Sequence, residues 1–206
     1  MQPTPTQRLS ALIWLAIVIS GCASESATLN SERIAREFGS YGLEVLESAH
    51  NIRATNLYSE GPDGTVCRTF AVVGFVDQTD PAFVAEHALV LEGGSIGAIF
   101  KSRGWKIEKD HQFIGNVKIG TRATRLAELM RIQLPTTAAV HVYVMVVSKN
   151  GDSFEYAMIT EVHHPDYLTS SQLQSIYGKD YSGAKNRRSI LQVIALVRSK
   201  FADPEI

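Results

Sequence analysis

The stretch AAVHVYVMVVSKNGDSFEYAMITEV, residues 138–162, constrains the fold more than any other part of the chain. Two runs rich in β-branched and aromatic residues flank Asn150-Gly151, a dipeptide suited to both central positions of a tight hairpin turn. With that dipeptide at the turn centre, Val146 is expected opposite Glu155, Val142 opposite Ile159 and Val140 opposite Glu161. Alternate residues of a strand share a face. One face is therefore expected to carry Val140, Val142, Val144, Ala157, Ile159 and Glu161, and the other His141, Tyr143, Met145, Tyr156, Met158 and Thr160. Both faces are largely apolar, so the hairpin belongs in the middle of a sheet covered on both sides. A slip of one residue would change every partner. The anomaly is Glu161, a carboxylate that ends an apolar face.

The rest of the chain supplies an antiparallel α+β pattern. Ser31 can cap a helix through ERIAREF, with Ile34 and Phe38 one turn apart and Gly39 as its stop. YGLEVLES, NIRATNLYSE and VCRTFAVVGFV read as three strands, the last two joined by the turn GPDGT. Asp80-Pro81 opens a helix that runs to Gly93-Gly94, and Ser95 precedes a second, IGAIFKSR. WKIEK and QFIGNVKI are expected as two strands, Thr121 to Met130 as a helix, and Pro135 as the break before the hairpin. Ile190, Val193, Ile194, Val197 and Phe201 recur at helical spacing after Ser189. That last helix has two readings, docking on the sheet or serving as a protein-partner or dimer surface. The fold class expected is an antiparallel sheet with helices packed on it, plus a C-terminal helix.

The amino terminus has a different character. Arg8 precedes the apolar run LSALIWLAIVIS, which is followed by GCAS. This is the pattern of an export signal, and the run is shorter than the roughly 20 apolar residues that span a bilayer. ISGC at Ile19 to Cys22 resembles the bacterial lipobox. The resemblance implies cleavage before Cys22 and acylation of its sulfur. Ala23 follows rather than aspartate, which points to the outer membrane, facing the periplasm. Residues 1–21 are thus expected to be a signal peptide and 22–30 a lipidated tether. Roughly 185 residues remain, enough for one domain with a real core. Two cysteines occur in the chain, so with Cys22 acylated no internal disulfide forms. Lysine and arginine number 20 against 21 acidic residues, a balance with no nucleic-acid footprint.

Arg68 is the second charged oddity. Simple alternation places it with Phe70 and Val72, and Cys67 with Thr69, Ala71 and Val73 on the opposite face. Burying an unpaired charge is costly, and arginine's planar fork matches a carboxylate. Arg68 and Glu161 therefore form a structural pair, form two walls of a ligand site, or leave one of the two exposed. Cys67 reads as a small buried apolar residue rather than a nucleophile. His163, His164 and Asp166 fit no metal-binding spacing, and adjacent histidines on a strand point to opposite faces. No metal or cofactor is expected. LEGGSIG is glycine-rich before a helix but lacks the lysine of a phosphate-binding loop.

SERIAREFGSYGLEVL, DGTVCRTFAVV, GGSIGAIF and ITEVHHP occur in an order and at spacings that resemble chorismate lyase. That family's fold is also similar to the ligand-sensing UTRA domain of transcription regulators. The resemblance spans about residues 31–168 and leaves 169–206 as a C-terminal helical extension. It implies that Arg68 holds a substrate carboxylate and that Glu161 is the pocket glutamate. In the family, chorismate is converted to 4-hydroxybenzoate and pyruvate. Family enzymes are cytoplasmic and this chain carries an export signal. The expected function is therefore an envelope lipoprotein that binds a small aromatic or carboxylate ligand. An active lyase and a structural envelope protein are the alternatives.

Overall fold

The computed structural model describes residues 28–49, 51–75 and 80–178. The signal segment, Cys22 and the helix expected after Ser189 lie outside these residues.

Helix α1 (Asn30–Phe38) starts where the Glu32 carboxylate accepts the Leu29 N–H, and it stops at Gly39, whose φ of 74° suits glycine. Its sheet-facing side carries Asn30, Arg33 and Ile34, all buried. Strands β1 (Gly42–Ala49), β2 (Ile52–Gly61) and β3 (Gly64–Phe75) follow as a meander. Asp80 then accepts the Ala82 N–H and opens a 3-10 turn (Pro81–Phe83) that leads into α2 (Val84–Leu91). Helix α3 (Ile96–Ser102) precedes the second meander: β4 (Lys106–Ile119), α4 (Thr124–Met130), β5 (Thr136–Lys149) and β6 (Asp152–His163). KIEK and QFIGNVKI thus lie on a single strand, β4, with Trp105 just before it, and Gln112 is an extra residue between pairs His111–Tyr143 and Phe113–Val142.

The six strands form one antiparallel sheet in the order β1-β2-β3-β6-β5-β4, so the expected α+β architecture is present. The two meanders meet at β3 and β6. One face packs against the 3-10 turn and α1, α2, α3 and α5; the other packs against α4 through Leu126 and Met130. Helix α5 (Ser170–Tyr177) begins inside the stretch read as the C-terminal extension. Thr169 caps it by accepting the Gln172 N–H, and Leu173 is buried beside Ile34 and Leu57. Among the described residues no helix is long and apolar enough to cross a membrane.

The hairpin turn is where the dipeptide predicts it. Asn150 and Gly151 have φ of 56° and 97°, Lys149 pairs with Asp152, and Val146 pairs with Glu155. Beyond that the register differs from simple counting. Met145 pairs with Ala157, leaving Tyr156 as an extra residue on β6. Each later pairing is displaced by one: Val142 faces Thr160, His141 faces Glu161 and Val140 faces Val162. The bulge has a packing cause. Tyr156 and Ala157 both enter the same core, where the Tyr156 ring packs on Phe100 and Phe83 at centroid distances of 4.7 and 5.3 Å.

A bulge at Arg68 corrects the faces of β3. Leu57 pairs with Thr69 and Tyr58 with Cys67, so Arg68 is the extra residue. Alternation restarts there, and Cys67 joins Phe70 and Val72 in the core beneath α4. Burial pushes the Cys67 thiol up to about 12, which leaves it unreactive at neutral pH. The hairpin geometry is open to test. Gly151→Ala places a Cβ in left-handed backbone, so it should lower unfolding free energy by about 1–2 kcal/mol in urea titrations. An unchanged midpoint would argue against this turn.

Candidate functional site

The site forms where α1 and the start of α3 lie over the centre of the sheet. Thr69, Ala71 and Val73 of β3 share one face with Ile159, Glu161 and His163 of β6, and the Tyr156 bulge brings His141, Tyr143 and Met145 of β5 to that same face. Between that face and the helices lies a half-open cavity of ≈ 80 Å³. A single water needs roughly 10–15 Å³ of such space, so the cavity takes several waters or one small ring. Leu43, Leu57, Val73, Met145 and Ile159 supply apolar walls. Asn30, Tyr41, Arg53, Lys109, Tyr143 and Glu161 supply polar groups.

Glu161 is 4% exposed. Its Oε1 accepts hydrogen bonds from Asn30 Nδ2 at 3.2 Å and from the Tyr143 hydroxyl at 3.3 Å. Asn30 is itself fixed: it also donates to Thr69 Oγ1 at 3.0 Å and accepts from the Tyr167 hydroxyl at 2.8 Å. Burial alone would push the Glu161 carboxyl up. Lys109 and the neighbouring His141 and His163 outweigh that and hold it below the usual carboxylate range. Burial acts oppositely on the imidazoles: His163 falls to about 3, His111 falls to about 4, and His141 is also lowered. All three are neutral at pH 7. The ionised state of Glu161 there rests on Lys109 and on its hydrogen bonds, not on imidazolium charge.

Around Glu161 the other oxygen is bare. His141 Nδ1 and His163 Nε2 each lie 3.8 Å from Oε2, beyond hydrogen-bond reach, and neither nitrogen has a partner. Their opposite ring nitrogens are engaged, His141 Nε2 with His111 Nδ1 at 2.8 Å and His163 Nδ1 with Thr69 Oγ1 at 3.0 Å. His164 and Asp166 stand apart from this group. His164 Nε2 bonds the Met130 carbonyl and its Nδ1 accepts the Asp166 N–H.

The structure does not bring Arg68 to Glu161. Arg68 Nε donates to Ser59 Oγ at 2.8 Å, and the guanidinium lies over the Phe38 ring at 3.8 Å. It lines a separate groove with Met130, Pro135 and Asp166. The arginine of the Glu161 cavity is Arg53. It is 2% exposed, and its Nη1 donates to the carbonyls of Val90 and Gly94, both at 2.9 Å. The glycine-rich turn after α2 therefore presents carbonyls to a cation. Burial lowers the Arg53 pKa, its Nε has no partner, and no carboxylate among the described residues pairs with it.

Comparison with known protein families, with curated proteins and with solved structures found no match. The site is therefore read from its own chemistry. The sequence reading identified Glu161 and missed Arg53, His141 and His163 as its companions. A usable signal existed for His163, since residues two apart on a strand share a face. His141 had none, because the Tyr156 bulge alone turns it toward Glu161.

These ionisations predict an acid-sensitive fold. His163 is neutral in the folded state down to about pH 3 but takes up a proton near pH 6.5 once unfolded. Its stabilising contribution is thus complete above about pH 6.5 and is lost as pH falls toward 3. Glu161, lowered in the folded state, adds loss in the same direction below its unfolded value. Urea midpoints measured in chelator should be level above pH 7 and decline below about 6.5. The decline contributed by His163 is at most about 1.4 kcal/mol per pH unit, and His163→Gln should make the profile shallower. A level profile down to pH 4 would show that the imidazoles are not buried as neutral groups.

Proposed function

We propose that this chain is an envelope lipoprotein whose chorismate-lyase-like domain binds a small aromatic carboxylate in the cavity above Glu161. The observation that carries the reading is the pairing of opposite demands in one cavity. Arg53 brings a buried cation with a free Nε and, among the described residues, no carboxylate partner, while Glu161 brings a fixed carboxylate. An uncompensated buried charge favours a ligand of opposite sign. A ligand carboxylate would answer Arg53 and Lys109, its ring would lie on the apolar walls, and a hydroxyl on the ring would donate to Glu161. A six-stranded antiparallel sheet with helices over a glutamate-bearing face supports the family resemblance. Arg68 has no role in this reading, because it lines the other groove.

Calorimetric titration with 4-hydroxybenzoate and with chorismate tests the binding. Lys109→Gln and Glu161→Gln should each weaken it roughly ten- to hundredfold, the scale of one lost hydrogen bond to a charged group. Absence of binding at millimolar concentration, or binding indifferent to both changes, would leave the Arg53–Glu161 cavity a structural feature. Release of 4-hydroxybenzoate from chorismate would make the protein a lyase instead.

The envelope half of the proposal rests on the sequence around Cys22. Intact mass of the membrane fraction should show a chain that begins at acylated Cys22. More than one acyl chain is expected, since a single chain binds membranes only marginally. Cys22→Ser should block processing or release the protein. An unchanged mass and fractionation would refute acylation.

A further inference from the structure

We infer that His141 Nδ1, His163 Nε2 and Glu161 Oε2 form a binding site for a divalent transition-metal ion of the zinc type. Each of the three residues has one atom tied down and one left free, and the three free atoms converge. Glu161 gives Oε1 to Asn30 and Tyr143 and keeps Oε2. His141 gives Nε2 to His111 and keeps Nδ1; His163 gives Nδ1 to Thr69 and keeps Nε2. The two free nitrogens belong to side chains that are 0% and 1% exposed, so water cannot satisfy them from outside.

The spacing favours a metal over a direct hydrogen bond. Each nitrogen stands 3.8 Å from Oε2, too far for N–H···O contact, and the three donors lie within 4.8 Å of one another. The centre of such a triangle is roughly 2.1–2.5 Å from every corner, against about 2.0–2.2 Å for zinc bound by imidazole and carboxylate. A contraction of a few tenths of an ångström would close it. The outer contacts match as well. Histidines that hold metals donate their second ring N–H to an acceptor, and His111 Nδ1 and Thr69 Oγ1 stand where those acceptors are needed. In that tautomer two nitrogen lone pairs face a carboxylate oxygen, an arrangement that repels unless a cation lies between them.

Two imidazoles and one carboxylate leave a fourth position on a tetrahedral ion, the ligand count of catalytic rather than structural zinc. Glu161 also lines the cavity, which supplies an entry path. Two groups oppose the ion. Lys109, its Nζ held by the Tyr177 hydroxyl and the Tyr143 ring, adds positive charge beside Glu161, and Arg33 lies on the same side. The site does not depend on the ligand reading above, because the metal alone is the probe.

The purified full chain, stripped with chelator, should bind one Zn²⁺ in a calorimetric titration. His141→Asn and His163→Asn should each weaken binding at least about a hundredfold, the upper range seen even for outer-contact changes. Lys109→Met should tighten it several-fold, and His87→Ala, away from the cluster, should leave it unchanged. Co²⁺ bound to the unmutated chain should show the intense visible bands of a four-coordinate ion, a readout that survives any folding defect of the variants. No stoichiometric Zn²⁺ binding, binding indifferent to His163→Asn, or only the weak bands of hydrated octahedral Co²⁺ would overturn the site.

Discussion

The carboxylate of Glu161 sits inside a six-stranded sheet, 4% exposed, where an ion must be compensated by charge or by hydrogen bonds. Its compensation ties distant parts of the chain together. Asn30 comes from the start of α1, Tyr143 from β5, and Tyr167, which holds Asn30, from the turn after β6. Thr69 on β3 links Asn30 to His163. Placement of α1 on the sheet, the approach of the post-β6 segment and the polarity of the central face all answer to one buried charge. Losing a single donor would leave a buried acceptor short of partners, which costs more than the bond itself contributes.

A cation is buried nearby by different means. Arg53 is met by carbonyl oxygens where α2 ends and the glycine turn leads to α3. The end of a helix carries partial negative charge on its unpaired carbonyls, so it can hold a guanidinium without a carboxylate. This neutralises only part of the charge. The cavity lined by both Arg53 and Glu161 combines opposite electrostatic demands with apolar walls. Such a space selects ligands by charge pattern as well as by shape.

The bulges at Tyr156 and Arg68 matter more to the site than to the fold. At Tyr156 the extra residue lets two consecutive side chains enter an aromatic core, and the register change this imposes turns His141 toward Glu161. At Arg68 the extra residue returns Cys67 to the core and leaves the guanidinium against Phe38, away from Glu161. One bulge thus adds a member to the cluster and the other keeps a charged residue out of it.

The sequence by itself determined the antiparallel α+β class, the hairpin at Asn150-Gly151 and the singular position of Glu161. These are local matters: periodicity, turn conformation and a charge in an apolar run are visible within a few residues. It also carries, at Arg8 to Cys22, a stretch that resembles an export and acylation signal, a resemblance read from the chain rather than from the fold. What surrounds Glu161 was decided only by tertiary structure. A bulge depends on whether two neighbouring side chains find room in the same core, and room is a property of the 3-10 turn and of α2 and α3, far along the chain. Arg53 was hidden for a related reason, since its partners are backbone carbonyls and no side-chain pattern announces them. His141, His163 and Glu161 meet because the two arms of one hairpin lie side by side in a register that packing, rather than alternation, selected.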